Sequence, residues 1–104
     1  MDIYSRIRDF SAALEDYLNR DQNPLLAQKV EIITGKKYAK IAVGYVGSEG
    51  RSVYCFIDLS NGDILKAAGW KAPAKGKRGS IYNDGFDIGD DKPCDRFGGG
   101  MYKR

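Results

Sequence analysis

One change of hydrophobic period governs what this chain can fold into. Ile3, Ile7, Phe10, Leu14, Tyr17 and Leu18 recur at spacings of three and four, with Arg6, Arg8, Asp9, Glu15 and Asp16 between them. That is the period of an amphipathic helix, and it predicts one over residues 2–19. Asn19, Asp21 and Asn23-Pro24 supply the stop, because proline disfavours helical geometry in the residue before it. Leu25 and Leu26 are expected to pack back on the core. From residue 29 onward the period falls to two. Residues 29–34, 38–46 and 51–59 are rich in β-branched and aromatic side chains, and Gly35-Lys36-Lys37 and Gly47-Ser48-Glu49-Gly50 mark the turns between them. One helix followed by short, turn-linked strands is an α+β chain, with an N-terminal amphipathic helix covering one face of a curved antiparallel sheet of three to five strands.

Alternation assigns the faces. Ala39, Ile41, Val43, Val53, Cys55, Ile57 and Leu65 are expected beneath the helix, where burying each large aliphatic side chain is worth roughly 1.5–3 kcal/mol before entropy. Ser60-Asn61-Gly62 closes the next hairpin. A three-residue loop with Gly62 in a left-handed bulge pairs Ile57 with Leu65 and Cys55 with Ala67, which keeps the core apolar. Tyr38, Lys40, Tyr54, Phe56 and Lys66 then share the opposite face.

The 104 residues suffice for one hydrophobic core and not for two domains of ordinary size. Residues 1–88 are expected to form that domain. Residues 89–104, rich in Gly and Asp, are expected to form a flexible tail unless they lie along the sheet. No apolar run approaches the roughly 20 residues that span a bilayer, so no membrane partner is expected. No signal or transit pattern is visible at the start, which makes the cytoplasm the expected compartment. An unpaired strand at 29–34 or 38–46 offers an edge to a second copy, hence a homodimer.

Charge is unevenly placed. Between Asp63 and Asp84 no acidic residue occurs, while Lys66, Lys71, Lys75, Lys77 and Arg78 are positive; the net charge of +3 conceals this segment. It reads as a basic, glycine-punctuated loop over 66–80 carrying the single tryptophan, Trp70, and it favours an anionic partner. Glycines beside cations in Lys75-Gly76-Lys77-Arg78-Gly79-Ser80 suit a phosphate cradle, without the spacing of a P-loop. The rest of the charge lies in Asp84, Asp87, Asp90, Asp91 and Asp95, read as a solvated acidic turn, since the EF-hand order is missing.

Chemistry is bounded by what is missing. The sequence has no histidine, and its two cysteines, Cys55 and Cys94, lie far apart. No nucleophile with its base can be named, so no enzyme, cofactor or metal site is expected. The surviving candidate is binding. Single-stranded nucleic acid is held by stacking bases on exposed aromatics and tracking phosphates with cations. Tyr54, Phe56 and Trp70 would stack, while Lys71, Lys75, Lys77 and Arg78 would hold phosphates, with Tyr38, Lys40 and Lys66 completing the face. The competing account makes Tyr54, Phe56 and Trp70 a second small core with Phe86, Ile88 and Phe97.

Val53-Tyr54-Cys55-Phe56-Ile57-Asp58, the run GDILKAAGWKAPAK over 62–75, and Arg78-Gly79-Ser80-Ile81-Tyr82 together resemble small uncharacterised proteins of tailed bacteriophages. Those carry an aromatic-cysteine-hydrophobic strand, then GD-[IV]-L-K-A-A, a tryptophan, K-A-P-A-K and R-G. The likeness covers roughly residues 37–83 and leaves out the helix and the tail. It implies a viral origin, hence the host cytoplasm, and brings no function with it. The expectation is therefore a non-catalytic, phage-encoded protein that binds single-stranded DNA or RNA. The alternatives are an inhibitor of a host defence or replication protein, or a binder of a small phosphorylated ligand.

Overall fold

The computed structural model describes residues 2–20 and 27–95. Helix α1 (Ile3–Asn19) is followed by strands β1 (Gln28–Thr34), β2 (Tyr38–Tyr45), β3 (Arg51–Asp58), β4 (Asp63–Ala67) and β5 (Pro73–Ser80). The strands form one antiparallel meander in the order β1-β2-β3-β4-β5. Asp2 caps α1 by accepting from the Ser5 N–H at 2.8 Å. The helix buries Ile7, Phe10, Leu14, Tyr17 and Leu18 against Ala39, Ile41, Val43, Cys55, Ile57 and Ile64. The α+β class and the single covered sheet face are as the sequence predicts. The stop signals at Asp21 and Asn23-Pro24, and Leu25 and Leu26, lie outside the described residues.

The β3–β4 register differs from the expected one. Ile57 pairs with Ile64, and Phe56 with Leu65. Gly62 is left-handed as expected, at φ 80°, but the loop spans 59–62 rather than three residues. Asp58 sets its length: its Oδ1 accepts from the Ser60 N–H and hydroxyl, while its carbonyl accepts from the Gly62 N–H at 2.8 Å. Ile64 therefore enters the core in place of Leu65. A bulge between Ile41 and Ala42 also pairs Ala42 with Val53, which puts Val53 on the outer face with Ala42.

The largest correction concerns residues 73–80. The expected basic loop is strand β5, paired through Ser80 with Asp63, Gly79 with Ile64, Lys77 with Leu65 and Pro73 with Ala67. An edge strand needs only its inward backbone groups, so Pro73 can open it, and irregular register absorbs Gly76 at φ 102°.

The other edge is protected by the helix. Asn19 accepts from the Gln28 N–H at 2.7 Å and donates to the Gln28 carbonyl at 2.8 Å, and Glu15 accepts from the Val30 N–H at 2.8 Å. A second copy could not pair there without displacing these side chains. The 38–46 strand, expected to offer an edge, is β2 and lies between β1 and β3.

Residues 89–95, expected to begin a flexible tail, close back on the core. Cys94 is fully buried, donates its N–H to the Asp87 carbonyl at 3.0 Å, and forms an isolated bridge with Ile88. The tight turn at Asp84–Asp87 fixes this path with Gly85, Phe86 and Asp87 all at positive φ. Phe86 packs edge-on to Phe10, and Arg6 lies over its ring at 4.2 Å while donating to the Ile81 carbonyl. Residues 96–104, including Phe97, lie outside the described residues.

Asp87 turns its carboxylate to the β5 backbone, accepting from the Ser80 N–H at 3.0 Å and from Asn83 Nδ2 at 2.8 Å. It can do so because Gly79 has no side chain: a Cβ there would stand 2.6 Å from Asp87 Oδ2. Gly79→Ala is expected to destabilise the protein by about 2 kcal/mol through this clash and the hydrogen bonds it breaks. In an Asp87→Ala background the same change should cost far less. Urea denaturation of the four-member cycle measures both, and equal costs in the two backgrounds would refute the coupling.

Candidate functional site

The sheet face opposite α1 carries a continuous row. Registers place Ile33 beside Lys40, Lys40 beside Phe56, Phe56 beside Leu65 and Leu65 beside Lys77. Phe56 is only 3% exposed, with the Tyr38 ring edge-on at 6.2 Å. From the β4–β5 turn, Trp70 reaches back so that Lys40 Nζ lies 4.2 Å from its ring centroid, and Trp70 stays 43% exposed. A flexible lysine over an indole face is a cation–π contact, which holds both side chains in place.

Between these groups lies a cleft of about 290 Å³, with Phe56, Tyr38 and Ile33 as its apolar lining and Lys36, Lys37, Lys40 and Lys71 around it. None of the lining residues is acidic. Among the described residues, Lys36, Lys40 and Lys71 make no ion pair. Four ammonium groups, of which Lys37 acts on a nearby carboxylate, that of Asp58, create a positive potential that an anion relieves. Beyond Trp70 a second hollow of about 320 Å³ is lined by Ser52, Val53, Ala67, Ala68 and Gly69.

A model of a family of unknown function, DUF7717, matches residues 3–103. The chain belongs to this family. No curated protein and no solved structure matches it. The DUF7717 match takes in α1, all five strands and the segment that carries Cys94, so the family unit includes the helix and the closing turn as well as the sheet.

The structure gathers Tyr38, Lys40, Phe56, Trp70 and Lys71 and separates the other expected site residues from them. Phe56 lies too deep to stack a base on its open face, and it forms part of the cleft wall. Tyr54 is the unpaired residue of the β2–β3 bulge. It packs against the core beneath the sheet and donates its hydroxyl to the Asp95 carbonyl. Burial pushes its phenol up, with the neighbouring Cys94 adding to the shift. It is not available to stack. Lys66 is displaced from its expected place beside Phe56, which Leu65 takes.

The remaining cations belong to the edge strand. Lys75 is exposed on β5, Lys77 pairs with Asp63 at 3.4 Å, and Arg78 sits in a β4–β5 irregularity with its Nε buried and without an acceptor among the described residues. A phosphate cradle over 75–80 is replaced by strand backbone already paired to β4. Lys36, Lys37 and Ile33 were absent from the sequence-based site because Gly35-Lys36-Lys37 reads simply as a turn. The signal for them was its two consecutive lysines, next to Tyr38.

Chemically, the cleft presents lysine ammonium groups and aromatic rings, and neither thiol lines it. Both thiols are buried: burial raises the Cys55 thiol well above its usual value, and raises Cys94 to about 12 with Asp87 and Asp95 adding to it. Among the described residues no three His, Cys, Asp or Glu side chains are grouped to hold a metal ion. No helix among them is long and apolar enough to cross a membrane.

Proposed function

We propose that this chain is a non-catalytic binder of single-stranded nucleic acid, and that the cleft between Tyr38, Phe56 and Trp70 is where the strand lies. The observation that carries this reading is an aromatic-lined cleft with four lysines and no carboxylate in its lining. Bases have a π face and each nucleotide brings one negative charge, so aromatics flanked by lysines match an unstacked strand at both chemistries. A duplex hides its bases within the stack and would meet the lysines alone. Nothing in the cleft itself offers a bidentate contact to a base edge, so affinity should be sequence-tolerant there and electrostatic. The likeness of residues 37–83 to tailed-phage proteins favours a setting in the infected host cytoplasm.

Trp70 reports on the site directly. Titration with mixed-sequence single strands should quench its emission, and raising salt from about 50 to 200 mM should weaken binding roughly 20- to 50-fold for three or four phosphate contacts on a single strand. Duplex should bind more weakly. A strand making several phosphate contacts should outcompete mononucleotides; a site built instead for a lone phosphorylated ligand would let mononucleotides compete as well as oligomers do. An unchanged Trp70 spectrum with every oligonucleotide at low salt would rule out the nucleic-acid reading.

A further inference from the structure

Tyr38 divides two clefts. On its far side the surface passes around the end of the sheet to the first turn of α1 and opens a second cleft of about 470 Å³. Tyr4, Asp58 and Ser60 line it, and it shares Lys36, Lys37 and Tyr38 with the first. An extended chain leaving the first cleft over Tyr38 therefore meets the hairpin lysines at the crossing and an aromatic beyond it. Tyr4 has no part in the buried core and remains 48% exposed.

Asp58 gives this cleft a chemistry that the first lacks. Ser60 engages only its Oδ1, through the N–H at 2.8 Å and the hydroxyl at 2.6 Å. Those hydrogen bonds, with the Lys37 ammonium adding to them, hold the carboxyl below its usual range, so it is ionised at neutral pH. A carboxylate repels phosphate but accepts from base amino groups. Cytosine, adenine and guanine each present an exocyclic amino group. Thymine and uracil present one imino N–H flanked by carbonyls that would face the carboxylate.

We infer that the bound strand turns the corner at Tyr38 and places a second base in this cleft, stacked on Tyr4, with Asp58 accepting a hydrogen bond from its exocyclic amino group. The inference rests on the nucleic-acid reading above and adds a path and a base preference. The path runs toward the start of α1, away from β5.

Fluorescence anisotropy with labelled dC and dT octamers at low salt tests it. The wild-type protein is expected to prefer the dC octamer by roughly 3- to 10-fold, a fraction of what a full bidentate base contact supplies. Tyr4→Ala should weaken both octamers roughly 5-fold or more, the loss of one stacked base. Asp58→Asn should abolish the preference while keeping an acceptor for Ser60, and thermal melts of both variants confirm folding. If both variants bind both octamers as the wild type does while Lys40→Ala still weakens binding, the strand stays on the outer face and this inference alone is overturned. If the wild-type protein binds neither octamer, the nucleic-acid reading falls with it.

Discussion

Above about pH 9 the protein is expected to lose stability steeply, and by pH 10.5 the loss should reach about 4 kcal/mol. The cause is a pair of thiols that cannot ionise where they are. Cys55 and Cys94 are both fully buried. Burial raises both, Cys94 to about 12 against an ordinary value of 9.0, and Asp87 and Asp95 push it further in the same direction. Between those limits the unfolded chain gives up two protons that the folded one retains. Stability then falls by about 1.4 kcal/mol per pH unit for each thiol. Below pH 9 both states hold both protons and the contribution is flat. Tyr54, also raised by burial from an ordinary value of 10.0, adds a third proton from about pH 10 upward.

A loss of that size is a large share of the roughly 5–15 kcal/mol that stabilises a domain of this length. Urea denaturation at intervals from pH 7 to 10.5 measures it. Cys94→Ala should flatten the slope by about half even though its cavity lowers stability at every pH. A denaturation midpoint that stays constant from pH 8.5 to 10.5 would show that both thiols reach solvent in the folded state, and a slope of half the expected size that one of them does.

The same thiols show where sequence reading succeeds. Cys55 lies in a run whose alternation places Ile57 beside it on the core face, and the structure keeps that placement. Cys94 lies in a polar, glycine-rich stretch with no period at all. Its burial depends on three successive residues, Gly85, Phe86 and Asp87, at positive φ. Left-handed backbone at Phe86 and Asp87 is held by Arg6 over the Phe86 ring and by the Ser80 N–H on the Asp87 carboxylate, the first a contact between distant parts of the chain. No local signal carries that.

The helix, β1, β2 and β3 were legible because their hydrophobic periods are strong. Strand β5 was not, because an edge strand composed of Lys, Gly and Pro makes its contacts through the backbone, and the backbone leaves no pattern in side chains. The β3–β4 register turns on Asp58 accepting from Ser60, a motif visible in Asp58-Leu59-Ser60, whereas apolar pairing alone favours burying Leu65. Of the candidate site, Lys40 beside Phe56 follows from alternation alone. Tyr54 was misplaced by a one-residue bulge, and the closure of Trp70 on Lys40 required knowing where β5 begins.

Strand β5 also changes which cations should matter. On the sequence, Lys75 and Arg78 are the natural phosphate contacts. In the fold Lys77 is neutralised by Asp63, Arg78 is half-buried in an irregular part of β5, and Lys75 stands on the sheet edge, outside the lining of the cleft. Lys40→Glu combined with Lys71→Glu is expected to weaken single-strand binding on the order of 100-fold at low salt, since two attractive contacts become repulsive ones. It should also reduce the salt slope by about 1.4, the share of two phosphates on a single strand. Stability should fall by no more than about 1 kcal/mol, the worth of the lost cation–π contact, because both head groups reach solvent. Trp70 emission should shift even without ligand, as the cation leaves its ring. Lys75→Glu combined with Lys77→Glu removes the same net charge from the chain but should cost only about 3-fold, through the long-range field, and leave the slope nearly unchanged. The comparison holds net charge constant, so a difference between the two doubles can only come from position. Equal losses would mean that the strand follows general basicity and that the cleft has no part in holding it.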